Sequence, residues 1–135
     1  EKLKRHGGEA CVAILDLGNL KMINDCFGHT AGDEVLKATA NAIAQSIRSM
    51  DTVGRYGGDE FIVLFPSTSP EEAQTALQRV NEKISKQRPP RVIIDVFADF
   101  GVACSPLDTP HLLDAINIAD ARMYNHKRER NAEPR

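Results

Sequence analysis

Arg55-Tyr56-Gly57-Gly58-Asp59-Glu60-Phe61-Ile62-Val63-Leu64-Phe65 is the stretch from which the architecture can be read. Phe61 to Phe65 is an unbroken apolar run, too short for an ordinary helix, and predicts a strand. The Gly57-Gly58 pair before it predicts a tight turn, hence a hairpin with a strand near 52–56. Toward the N-terminus, Cys11-Val12-Ala13-Ile14-Leu15 is a second short apolar run, read as a buried central strand that ends at Asp16. Gly18 to Gly28 is polar, with a helical turn or two. Thr30 then reads as an N-cap, and Leu36, Ala40, Ile43 and Ile47 recur at helical spacing over about 31–49.

Toward the C-terminus, Ser69-Pro70-Glu71-Glu72 is a helix start of capping-box type with proline in the first turn. Ala73, Leu77, Val80 and Ile84 continue that helix until Pro89-Pro90 stops it. Over 92–102, Val92, Ile94, Val96, Ala98, Phe100 and Val102 fall on one face of an extended chain, with Asp95 and Asp99 on the other. That alternation predicts a half-buried strand. Thr109-Pro110 opens a last helix with Leu112, Ile116, Ala119 and Met123 on its buried face. The order of strand, helices, hairpin, helix, strand and helix predicts an α+β sandwich: one central, mainly antiparallel sheet flanked by helices. It does not suggest a doubly wound parallel sheet.

A chain of 135 residues suits one domain, 1–135. Its formal charge of -2, from 17 basic and 19 acidic residues, is too balanced to advertise nucleic acid or direct contact with an anionic membrane as a partner. No apolar run approaches a membrane span or a signal peptide. Cys11, Cys26 and Cys104 are scattered and odd in number, and read as reduced thiols of a cytoplasmic protein. The charged start and the polar tail after Tyr124 predict a piece of a longer protein.

Two acidic points stand out: Asp16 at the end of a buried strand, and Asp59-Glu60 in the glycine turn. If the first strand pairs with the hairpin, these carboxylates meet at one sheet edge. Hard oxygen ligands on rigid strands suit Mg²⁺, with substrate phosphates completing its shell. Gly57 and Gly58 let a phosphate approach the backbone, and Lys21, Lys127, Arg128 and Arg130 carry the charge to neutralise it. Plainer roles exist for the same residues. Gly-Gly-Asp is common turn chemistry; Asp33 can complement a helix N-terminus; Asn24 can be a turn residue, His29 a cap, and 127–130 a solvated helix end.

Arg55 to Phe61 contains the GGDEF signature intact. Asp16 to Asp25, DLGNLKMIND, resembles the D-x-D-x-F-K-x-x-N-D block of the same family, and Gly28 to Asp33 matches its G-H-x-x-G-D. Ala119-Asp120 and Met123-Tyr124, followed by Lys127, are similar to its closing helix. On these four ordered blocks, from about residue 9 to 131, the chain resembles GGDEF domains, the catalytic modules of bacterial diguanylate cyclases. The resemblance implies a fold like the palm of nucleotidyl cyclases and polymerases. It also implies condensation of two GTP into cyclic di-GMP with release of pyrophosphate. Two Mg²⁺ ions, or Mn²⁺, would be held by Asp16, Asp59 and the Leu17 carbonyl. Asp59 would take the proton of the 3′-hydroxyl, Glu60 would support the metal site, and Lys21 would stabilise the triphosphate. Asn24 and Asp33 would read guanine, with His29 beside the nucleotide and Gly57, Gly58, Lys127 and Arg130 along the phosphates. Because each domain presents one GTP, a homodimer, at least transient, is implied.

Arg48-Ser49-Met50-Asp51 matches the family's R-x-x-D inhibitory site at its usual spacing from Gly57. The resemblance implies that the product binds there and restrains the enzyme. Arg79 is a secondary contact or simply an exposed helix arginine. Departures accompany the match. Gly18 stands where the family has a second aspartate, Leu20 where it has phenylalanine, and Asp99 where serine is common. The end reads KRERN, one residue short of K-x-x-G-R-N, and the opening D-x-L-T-x-L-x-N-R is absent. These departures leave a second expectation open: a degenerate domain that binds GTP or cyclic di-GMP as a receptor without turnover.

Overall fold

The structure, a computed structural model, describes residues 8–132; the ends of the predicted 1–135 domain lie outside the described residues. Strand β1 (Ala10–Leu17) is followed by helices α1 (Leu20–Phe27) and α2 (His29–Ser46). The hairpin strands β2 (Thr52–Arg55) and β3 (Glu60–Pro66) come next, then α3 (Pro70–Gln87), β4 (Ala98–Ser105) and α4 (Leu112–Ala132). Among the described residues the strands form one sheet in the order β2-β3-β1-β4, with every pairing antiparallel. The expected α+β class and the hairpin across Gly57-Gly58 are both present.

Each face of the sheet has its own core, because strand side chains alternate. Cys11, Ala13, Leu15 and Leu17 join Phe61, Val63 and Phe65 beneath α1, α2 and α3, packed on Ile23, Val35, Ile43, Leu77 and Ile84. Val12 and Ile14 face the other way, against Ala115, Ala119 and Met123 of α4. Helix α4 approaches β4 so closely that a Cβ on Gly101 would lie 2.2 Å from the Ala119 carbonyl oxygen and 2.3 Å from the Met123 nitrogen. The bare backbone at 101 therefore sets the spacing of this layer. The capping box at Ser69 forms as expected: its hydroxyl accepts from the Glu72 amide, and the Glu72 carboxylate accepts from the Ser69 amide.

Four expectations are corrected. Residues 92–97 form no ladder; the strand is Ala98–Ser105. The Val92 amide turns back to the Pro89 carbonyl, and the Asp95 and Ile94 carbonyls accept from the Asn19 and Arg88 side chains. The buried Val92 and Val96 supplied the alternation, but among the described residues no strand pairs with this segment. Asp99 does not face solvent: α4 covers that side of β4, and the residue is fully buried. Thr30 caps nothing, because α2 begins at His29 and its N-cap is Gly28, whose φ of 91° turns the chain between α1 and α2. Finally, Cys11 and Cys104 are not free thiols but are joined in a disulfide. They are direct cross-strand neighbours in the β1–β4 register, with Cα atoms 4.1 Å apart, a proximity their separation of 93 residues concealed. Cys26 is free, as read from the sequence, and it is exposed.

Candidate functional site

Even-numbered residues of β1 point toward α4, so Asp16 follows Val12 and Ile14 onto that face. Register sets Glu60 opposite Asp16 on β3 and Asp99 opposite it on β4. Like charges directly across a strand pair repel, and here α4 answers them. Lys127 Nζ lies 2.9 Å from Asp16 Oδ2. One turn on, on the same helix face, Arg130 donates through Nε and Nη2 to the two Asp99 oxygens at 2.9 and 2.5 Å. His126 Nδ1 stands 3.1 Å from Asp99 Oδ1.

The compensation at Asp16 is incomplete. Its Oδ1 is buried and has no hydrogen-bond partner among the described residues. Burial pushes its carboxyl above the ordinary carboxylate range, and the neighbouring Asp59 adds to the rise, against the Lys127 hydrogen bond. Glu60 is raised as well, by burial first and then by Asp16, Asp120 and Asp59. Lys127 gains from the contact, its ammonium held to higher pH by the bond to Asp16. The pair is unequal: Asp16 loses more to burial and neighbouring carboxylates than Lys127 returns. An orphaned carboxylate oxygen beside raised acids fits a site one cation short. Among the described residues no three His, Cys, Asp or Glu side chains are gathered closely enough to hold a metal alone. Mg²⁺ commonly takes one or two carboxylates and completes its shell from phosphates and water, and Asp16 and Asp59 fit that donor set.

The glycine turn is tied down on both sides. The Leu17 amide donates to the Asp59 carbonyl at 3.0 Å, and the Tyr56 amide to the Glu60 carbonyl at 2.8 Å. Arg55 donates to the Gly58 carbonyl and lies over the Phe61 ring at 5.4 Å. Space above Gly58 is open, as a phosphate approach requires.

Leu17, Lys21, Asp59, Lys127 and Arg130 line one cavity of about 580 Å³, beside the start of α1. Three of these are cationic, so this is the end suited to a triphosphate. Asn24, His29 and Asp33 lie outside that lining, at the α1–α2 corner, with His29 and Asp33 exposed. There Asn24 is admitted by Gly32: a Cβ at 32 would sit 1.8 Å from Asn24 Oδ1.

Sequence reasoning missed Phe97, Asp99 and Arg55 as parts of this site. The signal for Asp99 was its acidity where serine is usual; its burial needed the position of α4. The Phe97 ring fills the room beside Gly18, where an added Cβ would meet its Cε2 at 2.5 Å.

On the far side of the sheet, Arg48, Asp51 and Arg79 border a second cavity of about 340 Å³, with Thr68, Glu72 and Thr75. Arg48 and Asp51 grip each other: Nη2 donates to Oδ1 at 3.0 Å and the Arg48 amide to Oδ2 at 2.7 Å. Arg48 also donates to the Pro66 carbonyl and the Thr68 hydroxyl. Asp51 thereby raises the Arg48 pKa above its already high value.

The family model for the diguanylate cyclase GGDEF domain matches residues 1–133. A probable diguanylate cyclase of Escherichia coli K12, DgcC, is 34% identical over 130 residues, 95% of this chain and 35% of that protein. The chain thus spans about a third of that relative. The GGDEF domain of YfiN, also called TpbB, from Pseudomonas aeruginosa superposes with a TM-score of 0.83 at 31% identity, over 95% of this chain and 81% of that one. The GGDEF domain of DgcB from Caulobacter crescentus, solved in complex with c-di-GMP, gives 0.77 at 28% identity, over 95% and 81%. The family match covers nearly the whole chain and the overall shape agrees, so the chain belongs to the GGDEF domain family of diguanylate cyclases.

Proposed function

We propose that this domain condenses two GTP molecules into cyclic di-GMP, each 3′-oxygen bonding to the α-phosphorus of the other GTP as pyrophosphate leaves. The observation that carries the reading is the buried Asp16 Oδ1, without a hydrogen-bond partner among the described residues, beside Asp59 and Glu60 and a cavity lined by Lys21, Lys127 and Arg130. Asp16, Asp59 and the Leu17 carbonyl would hold Mg²⁺, which when bound would supply Lewis-acid activation of the 3′-hydroxyl and charge neutralisation at the pyrophosphate. Asp59 accepts the hydroxyl proton, and Glu60 supports the acidic site. Lys21, Lys127 and Arg130 neutralise the triphosphate, whose approach the bare backbone of Gly57 and Gly58 permits. Asn24 reads the guanine edge through its amide and Asp33 accepts from the guanine N1–H and amino group, with His29 nearby; adenine would leave such groups unpaired. Because one domain presents one GTP, two copies must meet face to face, if only transiently.

The Arg48-Asp51-Arg79 cavity is, in this reading, the place where the product binds and restrains the enzyme. Guanidinium groups suit guanine and phosphate alike. The Arg48–Asp51 ion pair must open or share its donors with the ligand, so product inhibition is weaker than two unengaged side chains would give.

A second reading is binding of GTP or cyclic di-GMP without turnover, favoured by Phe97 in the space beside Gly18. Incubation with GTP and Mg²⁺ at high protein concentration, with Asp59→Ala alongside, separates the two. Cyclic di-GMP that disappears in the variant supports the cyclase. Nucleotide binding without product, in a folded and dimeric protein, would select the receptor.

A further inference from the structure

Three departures from the family pattern, Gly18, Asp99 and the shortened C-terminal motif, meet in one contact network. Gly18 leaves a gap that the Phe97 ring enters. Arg130, from the shortened motif, lies over that ring with its guanidinium carbon 4.1 Å from the centroid. Asp99, wholly buried, grips the Nε and Nη2 edge of the same guanidinium. Arg130 is thus fixed on one face by an aromatic ring and along one edge by a bidentate carboxylate, an arrangement a planar guanidinium favours. It also lines the cavity with Lys21 and Lys127. A serine at 99 offers a single neutral oxygen and no second contact to hold the plane.

The division of labour at α4 strengthens the point. Asp16 and Asp99 are cross-strand neighbours, and Lys127 and Arg130 are three residues apart on one helix face. With Asp99 present, Arg130 is drawn to β4 and Lys127 alone meets Asp16. Without it, two cations would compete for one carboxylate.

We propose that Asp99 is a positioning residue for the nucleotide phosphates, holding Arg130 flat against Phe97, in the space Gly18 leaves open, so that a fixed guanidinium borders the triphosphate. The proposal rests on the GTP-binding reading above. Its partner chemistry is a polyphosphate; the base plays no part in it.

The test measures equilibrium binding of GTP, GMP and inorganic pyrophosphate to the whole chain, in Mg²⁺, for wild type, Asp99→Asn, Arg130→Gln and the double variant. Each single variant is expected to weaken GTP and pyrophosphate about tenfold, the scale of one charge-assisted contact. GMP should change little, and the double variant should be no worse than Arg130→Gln alone. In turnover, the loss should appear in KM more than in kcat. An unchanged GTP affinity in folded Asp99→Asn would overturn the proposal, as would equal losses for GTP and GMP or additive losses in the double variant. If Asp99→Asn does not fold, Phe97→Leu, which keeps bulk but removes the stacking face, is expected to weaken GTP and pyrophosphate selectively; no change there also overturns it. Should wild type bind neither GTP nor GMP, the GTP-binding reading itself fails. Pyrophosphate then still decides: loss on Asp99→Asn supports the positioning role, while no change, or no binding by wild type, ends it.

Discussion

Asp16 concentrates the conflict between stability and function. Among the described residues its Oδ1 has no hydrogen-bond partner, and burial with Asp59 raises its pKa despite Lys127. A carboxyl whose folded pKa lies above its unfolded value costs stability at neutral pH, and the cost is relieved as pH falls through the folded pKa. Asp16→Asn is therefore expected to raise the melting temperature in divalent-free buffer, by about 3 °C at neutral pH on the scale usual for removing an uncompensated buried group. The gain should shrink as pH drops through the raised pKa toward 3.8, the ordinary value for aspartate. The same variant should lose the stabilisation that wild type gains from Mg²⁺. Thermal melts with and without the ion, at neutral and acidic pH, check both; a lower melting temperature without the ion would contradict the account. Asp16 stood out in the sequence because it ends a buried apolar run, although an aspartate at a strand end is also common turn chemistry. Asp99 was not, since alternation assigned it to solvent and only α4 reverses that.

The elements divide by how local their signals are. The apolar runs of β1 and β3, the glycine turn and the Ser69 capping box are written within a few residues, and each forms where expected. Strand β4 was misjudged at both ends because a strand needs a neighbour, and its ladder with β1 couples residues more than eighty apart. The disulfide between Cys11 and Cys104 was hidden for the same reason. Helix α4 was found, but how closely it rides on the sheet was not, because that closeness depends on Gly101. Gly101→Ala would drive a methyl group into the Ala119 and Met123 backbone. Backbone cannot swing aside like a side chain, so the expected cost is about 3 kcal/mol, the upper end for overpacking. A denaturant titration with unchanged m-value would read it. A loss of under about 0.5 kcal/mol, an ordinary surface effect, would show that α4 slides freely. Such a shift should also loosen the Lys127–Asp16 and Arg130–Asp99 contacts, so GTP binding should weaken with stability.

For the molecule as a whole, the site faces outward with one set of phosphate cations, so the proposed reaction requires a second copy. Product formed per mole of protein should rise with concentration while monomer predominates, nearly in proportion in the dilute regime. Specific activity that stays flat over a hundredfold dilution would mean either a very tight dimer, which sedimentation would reveal, or a different reaction. Among the described residues no helix is long and apolar enough to cross a membrane. The carboxylates of the acidic edge, Asp16, Asp59, Glu60 and Asp99, all precede α4, whereas their cations Lys127 and Arg130 sit in its last turns. A ribosome delivers the N-terminal part first. The sheet can therefore be spelled out, and its acids crowded together, before the helix that answers them exists. Within this domain the acids are therefore made before the cations that answer them, and the balance of charge across the sheet waits for α4.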